Sequence, residues 1–117
     1  MKIRNLLVAC LIGVAVLGAA GVARADDVRM FVRHEVADYG AWRETYNAFA
    51  PTQKKLGVIY KAVYQSTDDP NDVTVIHDFH SLEKAKAFAA SAELKAAMEK
   101  SGVKGAPQIW YTTKSTK

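Results

Sequence analysis

The sequence predicts an α+β domain with the order strand, helix, strand, strand, helix, strand and a four-stranded antiparallel sheet. Three observations carry this. Four β-rich segments fall at 28–36, 58–66, 73–79 and 108–113. Two intervening stretches, 39–56 and 82–101, repeat apolar residues at helical spacing. Between the second and third strands, Thr67-Asp68-Asp69-Pro70-Asn71-Asp72 is dense in turn formers, so these two strands meet as a hairpin.

Each element has a local reason. The first strand, 28–36, alternates and ends before Asp38, a good N-cap for a helix starting near Tyr39. In that helix Trp42, Tyr46, Phe49, Gln53 and Leu56 recur on one face, Pro51 should kink or split it, and Gly57 ends it. The second strand occupies 58–66 and the third 73–79. Ser81 caps the next helix, with Glu83 favoured in its first turn by the helix dipole. Leu82, Ala85, Phe88, Ala89, Ala92 and Ala96 form its apolar stripe. Ser91 followed by Glu93 can restart this helix after a bend, and Gly102 stops it. The fourth strand occupies 108–113, with Pro107 at its start. Two helices crossing one face, with a hairpin between the halves, make a ferredoxin-like βαββαβ domain in which strands one and three are central.

Strand alternation assigns side chains to the two faces. Met30, Val32, His34 and Val36, then Val58, Tyr60, Ala62 and Tyr64, then Val73, Val75, His77 and Phe79, with Trp110, are expected under the helices. Phe31, Arg33, Glu35, Ile59, Lys61, Val63, Gln65, Thr74, Ile76, Asp78, His80, Ile109 and Tyr111 are expected on the other face. That second set is too apolar to sit comfortably in water, and a second copy of the sheet would bury it.

Residues 1–25 read as a cleavable export signal. Lys2 and Arg4 precede an apolar run over 6–23, and Ala23-Arg24-Ala25 supplies the small residues of a cleavage site. The run is just long enough to span a bilayer, but Gly13, Gly18 and Gly21 weaken it as a helix. Leu7-Val8-Ala9-Cys10 resembles a lipobox, though Cys10 comes early for one. The expected mature chain is one domain, 26–117, in the periplasm or secreted, with no membrane attachment after cleavage. Without Lys2, Arg4 and Arg24 the charge balance is 13 basic residues against 12 acidic, so the formal +4 of the whole chain is no nucleic-acid footprint. The only cysteine, Cys10, leaves with the signal, so the mature domain has no disulfide and no thiol nucleophile. Its stability must come from burial alone, and a homodimer would supplement it.

Several segments carry a resemblance: Asp38-Tyr39-Gly40-Ala41-Trp42, Phe79-His80-Ser81-Leu82-Glu83-Lys84-Ala85 with Phe88, Ser91-Ala92-Glu93-Leu94, and Gly102-Val103. The chain resembles small proteins of the dimeric α/β-barrel superfamily, in the branch of antibiotic-biosynthesis monooxygenases. The resemblance implies a homodimer whose two sheets close into a barrel, and a pocket in each subunit between helices and sheet. It brings cofactor-free oxygenases, haem-degrading enzymes, isomerases and proteins of no known activity into view. The chain departs from the haem-degrading branch, since Asn47 and Trp42 share the first helix and the second helix has no histidine.

His34 and His77 are the candidate catalytic residues. Both belong to the apolar set, on strands expected to be adjacent, and placing Val36 near Val73 would make His34 the diagonal neighbour of His77. A buried histidine of near-neutral pKa suits proton transfer with a phenolic ligand; the competing reading is two core histidines bonded to Tyr60, Tyr64 or backbone. Trp42, Tyr46, Tyr60, Tyr64, Phe79 and Trp110, with Phe49 and Phe88, are expected to converge there as a stripe that is either plain core or the wall of a small aromatic-lined cavity. No metal or cofactor site is expected, because the nearest carboxylates, Glu35 and Asp78, point to the opposite face. Two functions follow from the sequence. One is an exported dimer that binds a small apolar or aromatic molecule, with monooxygenase or isomerase activity in reach. The other is a non-catalytic structural or stress-related dimer with a filled core.

Overall fold

The structure, a computed structural model, describes residues 26–116. Residues 1–25, the expected export signal with Cys10, lie outside them. Both predicted helical stretches fold as pairs of shorter helices. In the first, α1 (Tyr39–Ala48) is followed by α2 (Ala50–Lys55), with Pro51 in the first turn of α2 where its missing donor costs nothing. In the second, α3 (Leu82–Ala89) gives way to α4 (Ala92–Ser101). The caps are those the sequence offers. Asp38 Oδ2 accepts from Ala41 N at 2.9 Å, Ser81 Oγ from Lys84 N at 3.1 Å, and Ser91 Oγ from Leu94 N at 3.1 Å. Gly57 and Gly102 follow helix ends with φ of +104° and +81°, a region other residues rarely enter. Among the described residues no helix is long and apolar enough to cross a membrane.

The strands β1 (Val28–Val36), β2 (Tyr60–Gln65), β3 (Asp72–Phe79) and β4 (Val103–Thr113) form one antiparallel sheet in the order β2-β3-β1-β4. This is the ferredoxin-like βαββαβ arrangement, with β1 and β3 central. The last strand starts five residues earlier than its sequence suggests. Gly105 and Pro107 are poor strand residues, and they sit where the β1–β4 register shifts between Arg33 and Glu35. A bulge on an edge strand tolerates both.

Register corrects the expected faces of the two outer strands. Residues paired directly across a ladder share a face. Tyr60, Ala62 and Tyr64 pair with Asp78, Ile76 and Thr74, so they lie on the open face, while Lys61 and Val63 face the helices with His77 and Val75. Trp110 pairs with Phe31 on the open face, while Ile109 and Tyr111 pair with Val32 and Met30 and pack against the core. The core itself lies between the sheet and the helices, around Met30, Val32, Val36, Trp42, Val73, Val75, Phe79, Ala85 and Phe88.

The open face is an aromatic patch framed by ion pairs. Phe31 and Trp110 stack with centroids 5.1 Å apart and planes 2° from parallel. Ile76 lies between Phe31 and Ala62 in the register. Arg29 grips Asp78 through Nε at 2.8 Å and Nη2 at 3.0 Å, and Arg33 grips Asp72 through the same two atoms at 3.0 and 2.6 Å. The Arg29 guanidinium also lies 5.7 Å from the Tyr60 ring centroid.

Candidate functional site

Alternation on the central strands turns His34 and His77 inward beside Met30, Val32 and Val75. Their exposures are 7% and 3%. They are not diagonal neighbours as the expected register would have them. Val36 N bonds to Asn71 O and Glu35 pairs with Asp72, so β3 is displaced by two residues and His77 stands opposite Met30, with His34 opposite Val73. The Val32–Val75 pair lies between them. What unites the two histidines is a cavity of about 30 Å³ that both line. Trp42, Thr45 and Tyr46, neighbours on one face of α1, close one side. Leu94, Ala97, Met98 and Ser101 of α4 close another, and Gln53 of α2 and Phe49 complete the wall. The space has room for one or two water molecules.

One histidine is anchored and the other is not. His77 Nε2 lies 2.9 Å from the Tyr46 hydroxyl and 3.5 Å from the Gln53 amide nitrogen. Gln53 Oε1 accepts from Lys61 Nζ at 2.8 Å. Tyr46 stacks on Trp42 at 4.8 Å, and the Lys61 ammonium and Arg43 guanidinium lie 5.4 and 5.6 Å from its ring centroid. His34 meets Trp42 edge-on at 5.6 Å, but among the described residues neither of its ring nitrogens has a hydrogen-bond partner, and neither does His77 Nδ1. Burial pushes the His77 imidazole down to about 4, helped by Lys61 and His34, and lowers His34 in the same direction. Burial pushes the Tyr46 hydroxyl up to about 12. At neutral pH all three groups are therefore uncharged. They can donate and accept hydrogen bonds in a largely apolar enclosure, and His77 takes up a proton only as the pH falls to about 4.

Of the residues singled out from the sequence, the structure brings His34, His77, Trp42, Tyr46 and Phe49 together at the cavity. It does not bring Tyr60, Tyr64, Phe79 or Trp110. Tyr60, Tyr64 and Trp110 are on the open face at 52%, 54% and 42% exposure, because the outer strands run in the opposite phase. Phe79 is fully buried under Phe88, two residues beyond His77, and is core rather than cavity wall. His80 faces Asp27, with Nδ1 3.0 Å from Oδ1. Gln53 and Lys61 are the residues whose role sequence reasoning missed. The signal for Gln53 was present, since an amide in phase with Trp42 and Tyr46 on an apolar stripe must be hydrogen-bonded when buried. Among the described residues no three His, Cys, Asp or Glu side chains are grouped to hold a metal.

Solved structures of the same fold are numerous, and several are oxygenases by name. A proposed antibiotic biosynthesis monooxygenase of Bordetella bronchiseptica superposes with a TM-score of 0.69 at 14% identity, over 77% of this chain and 98% of its own. SnoaB of Streptomyces nogalater, a cofactor-independent oxygenase, superposes at 0.66 with 12% identity, over 80% and 97%. A dimeric protein of unknown function and ferredoxin-like fold from Bacteroides fragilis superposes at 0.57 with 14% identity, over 74% and 95%. At such identities the likeness establishes the fold. No family model matches the chain, and no curated protein does.

Proposed function

We propose that the mature chain works as an exported homodimer, each subunit holding one small, largely apolar or aromatic molecule against His34 and His77. The observation that carries this reading is the set of three ring nitrogens, unpartnered among the described residues, on two buried imidazoles that line a cavity of mostly apolar and aromatic walls. Leaving buried polar atoms unpaired costs stability, and a ligand that pairs with them explains the arrangement. If chemistry follows binding, cofactor-free oxygenation or isomerisation suits the site, with His34, free at both nitrogens, as the group that exchanges a proton with a phenolic hydroxyl. The named oxygenases among the fold neighbours support that class. The open face supports the dimer, because Phe31, Trp110, Tyr60, Tyr64 and Ile76 form a patch that a second sheet would cover.

A ring-sized ligand needs more room than about 30 Å³. Met98, long and unbranched, is the wall residue best able to give way. The small volume also favours the rival reading, a non-catalytic dimer whose cavity holds only water.

The two readings separate on paired substitutions. His34→Phe keeps the apolar volume and strands no partner, so its melting temperature should equal or exceed that of the unaltered protein. His77→Phe strands the Tyr46 hydroxyl and Gln53 amide and should lower stability by about 1–3 kcal/mol. In a thermal-shift screen of phenols, quinones and haem, at least one compound should stabilise the unaltered protein and fail to stabilise His34→Phe. No stabilisation by any compound leaves the structural dimer. Export has its own check: protein recovered from its native host should have the intact mass of a chain beginning at Asp26, and a species retaining Met1 or bearing a lipid on Cys10 refutes cleavage as read.

A further inference from the structure

A lysine ammonium donates hydrogen bonds and cannot accept them. Because Lys61 Nζ lies 2.8 Å from Gln53 Oε1, that contact fixes which end of the amide is oxygen. The amide nitrogen then faces the other way, 3.5 Å from His77 Nε2. An amide nitrogen only donates, so His77 Nε2 accepts from it. The Tyr46 hydroxyl, 2.9 Å from that same accepting nitrogen, is left to donate its own proton to it. His77 Nε2 is thus an acceptor from both sides. In a neutral imidazole the single proton must then sit on Nδ1, the atom that has no partner among the described residues.

We propose that Lys61 and Gln53 are positioning residues that lock His77 in its Nδ1–H form, so that the site takes ligands carrying an acceptor oxygen, such as a carbonyl, phenolate or N-oxide, over rings that offer only an N–H. This rests on the reading of the cavity as a ligand site. Charge points the same way. Lys61 and Arg43 flank the Tyr46 ring, and among the described residues neither is paired with a carboxylate. An oxygen bearing partial or full negative charge is the complement of one fixed N–H donor and two unneutralised cations nearby. His34, with no partner to fix its tautomer, can follow whatever the ligand presents.

The test reads the tautomer directly. Long-range proton–nitrogen NMR spectra of the ¹⁵N-labelled protein at pH 7 should show His77 as Nδ1–H. Lys61→Met frees the amide to turn over, and a mixture of both tautomers should appear. Gln53→Glu replaces the donating nitrogen by an acceptor, and the Nε2–H form should predominate. Lys61 is exposed, so its variant keeps the experiment interpretable if Gln53→Glu does not fold. Two ring probes then test the ligand class. Pyridine N-oxide, an acceptor only, should shift the Nδ1 resonance and bind about tenfold more tightly than pyrrole, a donor only. An Nε2–H tautomer in the unaltered protein, or an unchanged one in Lys61→Met, overturns the lock. Preference for pyrrole overturns the ligand class. Nδ1–H with neither ring bound upholds the lock and refutes the ligand-site reading beneath it.

Discussion

An Ile76→Asp chain should run as a monomer or unfold under conditions where the unaltered chain runs as a dimer. Ile76 lies on the open face yet is only 7% exposed, because Phe31 and Ala62 flank it across both neighbouring strands. Removing it forfeits about 1.5–3 kcal/mol of apolar burial. The carboxylate that replaces it has no cation to spare. Arg29 is committed to Asp78, two residues along on the same face, and Arg33 to Asp72. An unpaired charge pressed into a dry sheet-on-sheet interface costs several kcal/mol more, roughly. Light scattering with circular dichroism on the same sample reads both association and fold. Trp110→Ser separates the two effects, since Trp110 is a half-exposed edge residue whose loss should weaken the dimer and leave the subunit folded. A monomeric unaltered protein at micromolar concentration refutes the interface.

The contrast between the central and outer strands explains how far the sequence could be read. In β1 and β3 the strands begin where their patterns begin, and the inward sets, from Met30 to Val36 and from Val73 to Phe79, are plainly the more apolar. Phase and composition agree there, and the inward histidines were legible. In β2 they disagree. Val58 and Val63 both pack on the core although they are five residues apart, so the alternation breaks between them, in the two residues before the ladder starts at Tyr60. A phase error of one residue sends every side chain to the wrong face. It carried Tyr60 and Tyr64 into the expected pocket and left out Lys61, the residue that orients Gln53. In β4 the largest side chain, Trp110, was assigned inward, but its partner is Phe31 on the exposed face. That error hid an aromatic pair suited to an interface. The Tyr46–His77–Gln53–Lys61 chain spans two helices and two strands, and no local periodicity encodes it.

Acid should destabilise this protein through His77, and His77→Phe should remove the effect. In the unfolded chain the imidazole takes up a proton near pH 6.5. In the folded chain burial, with Lys61 beside it, keeps His77 neutral until about pH 4. Between those values the unfolded state binds the extra proton, so stability is full above pH 6.5 and falls as the pH drops toward 4. The loss reaches about 3 kcal/mol, a large part of what holds a small domain together. His34 is shifted in the same direction by its burial and adds to the slope. Carboxylates contribute elsewhere: Asp72, held low by Arg33, loses its stabilising effect only as the pH falls below the ordinary aspartate range, and does so in every variant. Urea denaturation at pH 7, 5.5 and 4.5 therefore isolates the histidine as a difference between two chains. His77→Phe should be the weaker chain at pH 7, where the unaltered protein keeps its bonds to Tyr46 and Gln53. It should lose less on acidification, so the gap narrows or reverses by pH 4.5. Parallel curves would mean that His77 carries its charge in the folded state, and a charged imidazole there would need an anionic partner that the observed contacts with Tyr46, Gln53 and Lys61 do not supply.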